Sequence, residues 1–338
     1  MKFQRVRLHS WAVEEPAQFL SSDEIEQQLA ATYERLKLPA GRLELQTGIQ
    51  RRGYWPRGTR PSSIAAAAGE QLLQRFPRDQ IGLLAHASVC RDFLEPATAA
   101  VVHHSLRLAA SCTIFDLSNA CLGVVSAALV AAQMIEAGTI KAALVVSGEN
   151  SGPLLLKTIE TLAGDATLTR QSIKKHVASL TIGSAGVAWL LCHEDLAPAA
   201  PRFLGGTTLT DSSAVELCQG GGNLEELTME TDSEALMVAG VKLAQENWRR
   251  FRQEFGSATK IIPHQVGSTH RRAFQEALGI QDVPDFSTFP DYGNTGSAAL
   301  PLTFIKAHSA GLFVAGDRVA LTGIGSGLTS TMVALEFT

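Results

Sequence analysis

The 338-residue sequence predicts an α/β fold made of two copies of one β-α-β unit, and three observations carry that prediction. First, Asn119 precedes Gly148 by 29 positions and Asn294 precedes Gly323 by the same 29. Both stretches run from a small-residue elbow through an apolar helix and a glycine-containing turn to an apolar strand. Second, Thr322-Gly-Ile-Gly325-Ser326-Gly327 echoes Thr181-Ile-Gly183-Ser184-Ala-Gly186, each leading into a strand. Third, Leu83-Leu84-Ala85-His86 ahead of the first elbow is answered by Ile261-Ile262-Pro263-His264 ahead of the second. Strands alternating with helices imply a mostly parallel sheet, with ligands near the carboxyl ends of its strands. The halves are expected at residues 1–193 and 200–338, with Pro198 and Pro201 marking the linker.

Taken in order, Phe3 to Leu8 alternates as a short strand, and Ser22-Asp23-Glu24 supplies capping for a helix over Ile25 to Leu36. Residues 48–61 carry Arg51, Arg52, Arg57 and Arg60 with Tyr54 and Trp55. Such a run is either a solvated loop or a phosphate clamp with an aromatic available to stack on a base. An alanine-rich helix follows from Ser63, then a buried strand over Ile81 to Cys90. Pro96 is expected to open the next helix at its first position, with Glu95 just ahead of it, where a carboxylate either favours the positive helix end or serves as a base. Thr113 to Gln133 passes from a β-branched and aromatic run into an alanine-rich helix, and Ile140 to Gly148 is a second buried strand. Residues 149–180 are more polar and are expected to form an insertion or lid.

Composition narrows the function classes. Hydrophobic content of 45% and charged content of 18% fit a soluble globular protein, and a formal net charge of −4 argues against general nucleic-acid binding. The five cysteines, Cys90, Cys112, Cys121, Cys192 and Cys218, contain no C-x-x-C pair, which fits a reducing compartment without a zinc site. No signal peptide or run of about 18 apolar residues occurs, so a cytoplasmic location without a membrane span is expected. His103-His104 is a lone pair on a helical segment, expected to face solvent or an interface; no metal is expected.

The chemistry concentrates at the two elbows. Cys121 sits at the strand-to-helix changeover, where a helix N-terminus lowers a thiol pKa; the alternative is a buried cysteine capping a core helix. The second elbow carries Gly293-Asn294-Thr-Gly296, and His264 stands at a strand end. Alone, His264 reads as structural and Asn294 as a turn residue. Together at equivalent sheet ends, a thiol, a histidine and an asparagine form a workable set for acyl transfer, in which thiolate attack needs activation and the developing oxyanion needs donors.

Three stretches carry a resemblance: Asp-Leu-Ser-Asn-Ala-Cys121-Leu-Gly, Pro-His264-Gln-Val and Tyr-Gly-Asn294-Thr-Gly-Ser-Ala-Ala-Leu-Pro. They resemble the active-site motifs of the ketoacyl-ACP synthase III family, a thiolase-like group with a layered αβαβα architecture, and the match spans essentially the whole chain. The resemblance implies that Cys121 takes an acyl group from coenzyme A, that His264 and Asn294 bind the second thioester carbonyl, and that backbone N–H groups of Cys121 and the Gly325-Ser326 turn form the oxyanion hole. It places Arg52, with Arg51 beside it, at the coenzyme A entrance, and implies a homodimer with acyl-CoA substrates and no resident cofactor. Ser88-Val-Cys-Arg-Asp-Phe-Leu-Glu95-Pro-Ala-Thr resembles the OleA-type branch, which joins two fatty acyl-CoAs without decarboxylation; there the matching glutamate enters the partner's site as the base. The usual carrier-protein docking arginine is replaced by Thr269, with Arg271 and Arg272 adjacent, which favours free acyl-CoA over an acyl carrier protein as donor. A decarboxylative synthase III or a pathway-specific ketosynthase using a malonyl or β-ketoacyl donor is the alternative reading, and a catalytically silent partner subunit is a third.

Overall fold

The structure, a computed structural model, describes residues 1–221 and 228–338. In chain order these form β1 (Val6–Glu14), β2 (Gln18–Ser21), α1 (Ser22–Gln28), α2 (Ala30–Leu36), α3 (Arg42–Thr47), β3 (Arg51–Tyr54), α4 (Pro61–Leu73), β4 (Ile81–His86), α5 (Thr98–Leu106) and β5 (Thr113–Asp116). There follow α6 (Gly123–Glu136), β6 (Ala142–Glu149), α7 (Gly152–Gly164), α8 (Val177–Thr181), β7 (Ala185–His193), β8 (Arg202–Thr210), β9 (Cys218–Gly221) and β10 (Thr228–Thr231). The chain ends with α9 (Ser233–Phe255), β11 (Lys260–Pro263), α10 (Ser268–Leu278), α11 (Phe289–Tyr292), α12 (Ala299–Ser309), β12 (Arg318–Gly325) and β13 (Thr329–Glu336).

The main sheet runs β11-β12-β13-β8-β1-β7-β6-β4-β5. It is thinnest between β1 and β8, which pair at one residue couple, Arg7 opposite Arg202, with an isolated bridge of Lys2 and Gly205 beside it. On one side of that seam β5, β4 and β6 are parallel and β7 and β1 antiparallel; on the other, β11 and β12 are parallel and β13 and β8 antiparallel. The predicted repeat is therefore present as topology, although mixed rather than mostly parallel. Helices α6 and α12 fill the space between the two sheets, and their alanines and leucines join both inner faces in one core. Helices α4 and α5 cover the outer face of the first sheet and α9 and α10 that of the second. The result is five layers, helix, sheet, helix, sheet, helix. The central helices have to be small-residue rich because a strand layer lies about 10 Å away on each side; α6 buries Ala127, Ala128, Ala131 and Ala132 completely.

Several local expectations are corrected. The first helix breaks at Leu29 into α1 and α2, and its cap is Ser21, one residue earlier than expected: Ser21 Oγ accepts from the Glu24 N–H at 3.1 Å while the Glu24 carboxylate accepts from the Ser21 N–H at 2.7 Å. Pro96 does not open α5, which starts at Thr98 and is capped from outside by Asp116 accepting the N–H groups of Thr98 and Ala99, both at 2.8 Å. The arginine-rich run is not a loop throughout: Arg51–Tyr54 is a strand paired with β2. Residues 149–180 form α7 and α8, whose apolar faces pack on α1–α3 as a separate small core, a cap seated on the N-terminal helices. Glu149, at the edge of that segment, belongs to β6.

At Gly148 the N-terminus of α4 crosses β6 so closely that an added β-carbon would abut the Pro61 carbonyl oxygen and lie 3.0 Å from the Ala65 nitrogen. Gly148→Ala is expected to cost about 1–3 kcal/mol, read as a lower urea midpoint at unchanged slope; an unchanged midpoint would mean that α4 is free to retreat.

Candidate active site

The site is assembled from the two elbows and one strand end. After β5 the chain turns sharply: Ala120 has a φ of 44°, a left-handed conformation costly for a residue with a β-carbon, and the Leu122 N–H donates to Asn119 O at 2.9 Å. This single tight turn puts Cys121 at the head of α6. Gly123, immediately after, has no room for a side chain, since a β-carbon would come within 2.7 Å of Ser297 Oγ. Leu122 packs onto Gly323 and Gly325 of β12.

His264 follows β11 and is fixed by its N–H donating to Thr322 O at 2.7 Å, with its β-carbon on the Gly323 surface that Leu122 also covers. Asn294 is held between Thr181 and Gly183: its N–H donates to Thr181 O at 2.8 Å and its carbonyl accepts from the Gly183 N–H at 2.9 Å. The Thr181-Ile-Gly183 echo thus cradles the asparagine. Asn294 Oδ1 accepts from the Gly296 N–H at 3.1 Å, which turns the amide N–H2 to the opposite side as a donor. Gly325 abuts Leu122 and Asn119 O, with Ser326 in the following turn. Cys121, His264, Asn294 and the Gly325-Ser326 turn therefore converge at one end of the two sheets.

The electrostatics differ from the expectation of a lowered thiol pKa. Enclosure of the Cys121 thiol, with the nearby charge of Glu149 and a smaller contribution from Cys218, pushes its pKa up to about 12; its own backbone N–H opposes the shift. A helix terminus contributes about 0.3–1 kcal/mol, less than the 1.36 kcal/mol of one pKa unit, so burial wins. Burial, with His270 nearby, lowers His264 to about 4, and both its ring nitrogens lack a protein partner. At neutral pH Cys121 is a thiol and His264 a neutral imidazole.

The remaining predicted residues lie elsewhere. Glu95 is exposed on the loop between β4 and α5, not in an apolar site of this chain, and its neighbour Leu94 is 98% exposed. Arg52, expected at the coenzyme A entrance, is fully buried because β3 turns it inward; Nη1 donates to Ser22 Oγ at 3.1 Å, and burial lowers its pKa to about 10. Arg51 is the exposed member, paired with Asp291 at 3.1 Å and stacked over Phe19. Arg271 is held by Asp285 through two hydrogen bonds of 2.9 and 2.7 Å, leaving Arg272 exposed beside it. Sequence reading passed over Glu149 and Ser297, both 1% exposed. The signal for Glu149 was its position, a carboxylate closing a strand that is buried along its whole length.

Models of the 3-oxoacyl-[acyl-carrier-protein] synthase III family match residues 115–167, and those of its C-terminal region match residues 256–337. A Xanthomonas campestris pv. campestris protein named acyl-CoA:acyl-CoA alkyltransferase is 35% identical over 98% of both chains. One of the same name from Shewanella oneidensis is 36% identical over the full length of both. The chain belongs to the synthase III family. Its thiolase-like fold matches a crystal structure of Xanthomonas campestris OleA with a TM-score of 0.95 at 34% identity, covering 99% of this chain and 98% of that one. Another OleA structure, of a cysteine-to-serine variant with bound lauric acid and lauroyl-CoA, matches at 0.93, and further OleA structures carry replacements of a glutamate or a histidine. Like those relatives, this family member is an acyltransferase-type condensing enzyme.

With the thiol near 12 and the imidazole near 4, iodoacetamide alkylation of Cys121 in the free enzyme should rise about tenfold per pH unit between pH 6 and 10. A plateau beginning below pH 7 would reveal a preformed thiolate–imidazolium pair instead.

Proposed function

We propose that this protein condenses two acyl-CoAs head to head, forming a 2-alkyl-3-ketoacyl-CoA through an acyl thioester on Cys121. The thiol attacks the first thioester carbonyl, His264 accepts its proton and returns it to the leaving coenzyme A thiolate, and N–H groups of Cys121 and the Gly325-Ser326 turn receive the transient oxyanion. The second acyl-CoA then places its carbonyl against His264 and the Asn294 amide. Loss of its α-proton to a carboxylate gives an enolate, which attacks the acyl group and expels Cys121 as a thiolate; the thiolate recovers the proton that the carboxylate took up. Because a plain acyl chain has no carboxyl group to lose, this step needs a positioned base. Coenzyme A enters as part of the substrates, and no resident cofactor takes part.

Glu95 of the partner subunit is that base in this reading, and the single observation that carries it is the shape of its loop. The root is anchored: Asp92 is buried and accepts the Ser62 N–H at 2.9 Å, and its own N–H donates to Thr98 Oγ1 at 3.1 Å. The tip presents Phe93 and Leu94 to solvent, with the Arg60 guanidinium 5.2 Å over the Phe93 ring. A rigid loop with an apolar tip is suited to insertion into a second copy, and the adjacent edge strand β5 leaves Ile114 uncovered. A homodimer acting in lipid biosynthesis follows from this reading. Among the described residues no helix is long and apolar enough to cross a membrane.

Glu95→Ala should retain the burst of coenzyme A release on acylation and lose condensation by about 10²- to 10⁴-fold. Mixing it with Cys121→Ala should restore activity to about one quarter of wild type, since half the randomly mixed dimers hold one complete site. No recovery would place the base within its own chain, and undiminished condensation by Glu95→Ala would refute the assignment.

A further inference from the structure

Glu149 is an ionisable residue beside Cys121 that the steps above leave unused. Its Oε1 accepts the N–H groups of Val89 at 2.9 Å and Ser297 at 3.0 Å, and Oε2 accepts the Cys90 N–H at 3.2 Å. These donors belong to two separate elements, the root of the Glu95 loop and the elbow of Asn294. The same Ser297 continues the junction: its hydroxyl donates to Ala87 O at 2.7 Å and accepts the Val124 N–H of the Cys121 helix at 3.0 Å. Gly296 lies so close that an added β-carbon would be 3.1 Å from Glu149 Oε1. One buried carboxylate and one buried hydroxyl thus connect base loop, asparagine elbow and nucleophile helix. Burial pushes the Glu149 pKa up, while its backbone donors and the Cys90 thiol pull it down; every contact it makes is a donor, the arrangement a carboxylate requires.

We infer that Glu149, acting with Ser297, is a positioning residue for the carbon–carbon bond-forming half of the reaction, holding the Glu95 loop and Asn294 in one frame while keeping a negative charge beside Cys121. The inference rests on the condensation reading above. Its bonds reach the elements that act on the second substrate and not His264, which is fixed through Thr322. Its charge opposes formation of the Cys121 thiolate, so losing it does not hinder the first attack. Glu149→Gln removes the charge and sets an N–H2 group against a backbone donor. Glu149→Asp keeps the charge but draws the oxygens back from their donors.

The test measures three quantities on each variant with a saturated acyl-CoA: the acylation burst, steady-state condensation, and the pH profile of iodoacetamide alkylation. For Glu149→Gln, condensation kcat should fall thirtyfold or more with KM changed less than threefold, acylation should fall no more than fivefold, and alkylation should move to lower pH. For Glu149→Asp, condensation should fall similarly with the alkylation profile close to wild type. Equal losses in both half-reactions, or an alkylation profile unmoved in Glu149→Gln, would overturn the inference. Should circular dichroism show that Glu149→Gln is unfolded, Glu149→Asp decides: loss of condensation with acylation within fivefold of wild type supports the inference, and equal loss in both half-reactions overturns it. Wild-type protein that condenses nothing would refute the condensation reading itself, which separates the two failures.

Discussion

The arrangement depends on the way the two half-molecules are locked together at Ser297. The roles proposed for Cys121 on one elbow and Asn294 on the other are possible only if the elbows keep their separation, and each elbow alone is a loop. The Ser297 hydroxyl, bonded at once to Ala87 O and the Val124 N–H, fixes that separation where α6 meets α12 between the sheets. Buried hydrogen bonds of this kind are effective because a rearrangement would strand polar groups away from water. The glycines at 123, 323 and 325 allow the close approach, since a side chain at any of them would meet Ser297 or Leu122.

This rigidity explains the electrostatics of the thiol. Cys121 is only partly exposed, and the loss of hydration around its thiol outweighs the favourable end of α6. At neutral pH Cys121 is therefore a thiol and His264 a neutral imidazole, so in the proposed reaction the proton moves only when a thioester carbonyl arrives.

Much of this was legible in the sequence, for identifiable reasons. The repeat could be read because each half needs the same small residues at the same spacing, and Cys121, His264 and Asn294 stand out against it. The layered architecture follows from alanine-rich helices flanked by apolar strands. The direction of the Cys121 shift was not legible, because it depends on the balance between burial and a helix end. The inward turn of Arg52 depends on the pairing of β3 with β2, which a run rich in arginine, glycine and proline does not advertise. Glu149 escaped notice because its partners Val89, Cys90 and Ser297 are remote in sequence and meet it through backbone N–H groups, which leave no trace in side-chain identity.

The central claim is that the second substrate is activated by proton removal and not by decarboxylation. High-resolution mass spectrometry of the products formed from one saturated acyl-CoA, with no malonyl compound present, tests it most directly. The account predicts a coenzyme A thioester carrying both acyl chains, with one coenzyme A released for each condensation. A condensed product that appears only after a malonyl or β-ketoacyl donor is added would contradict it.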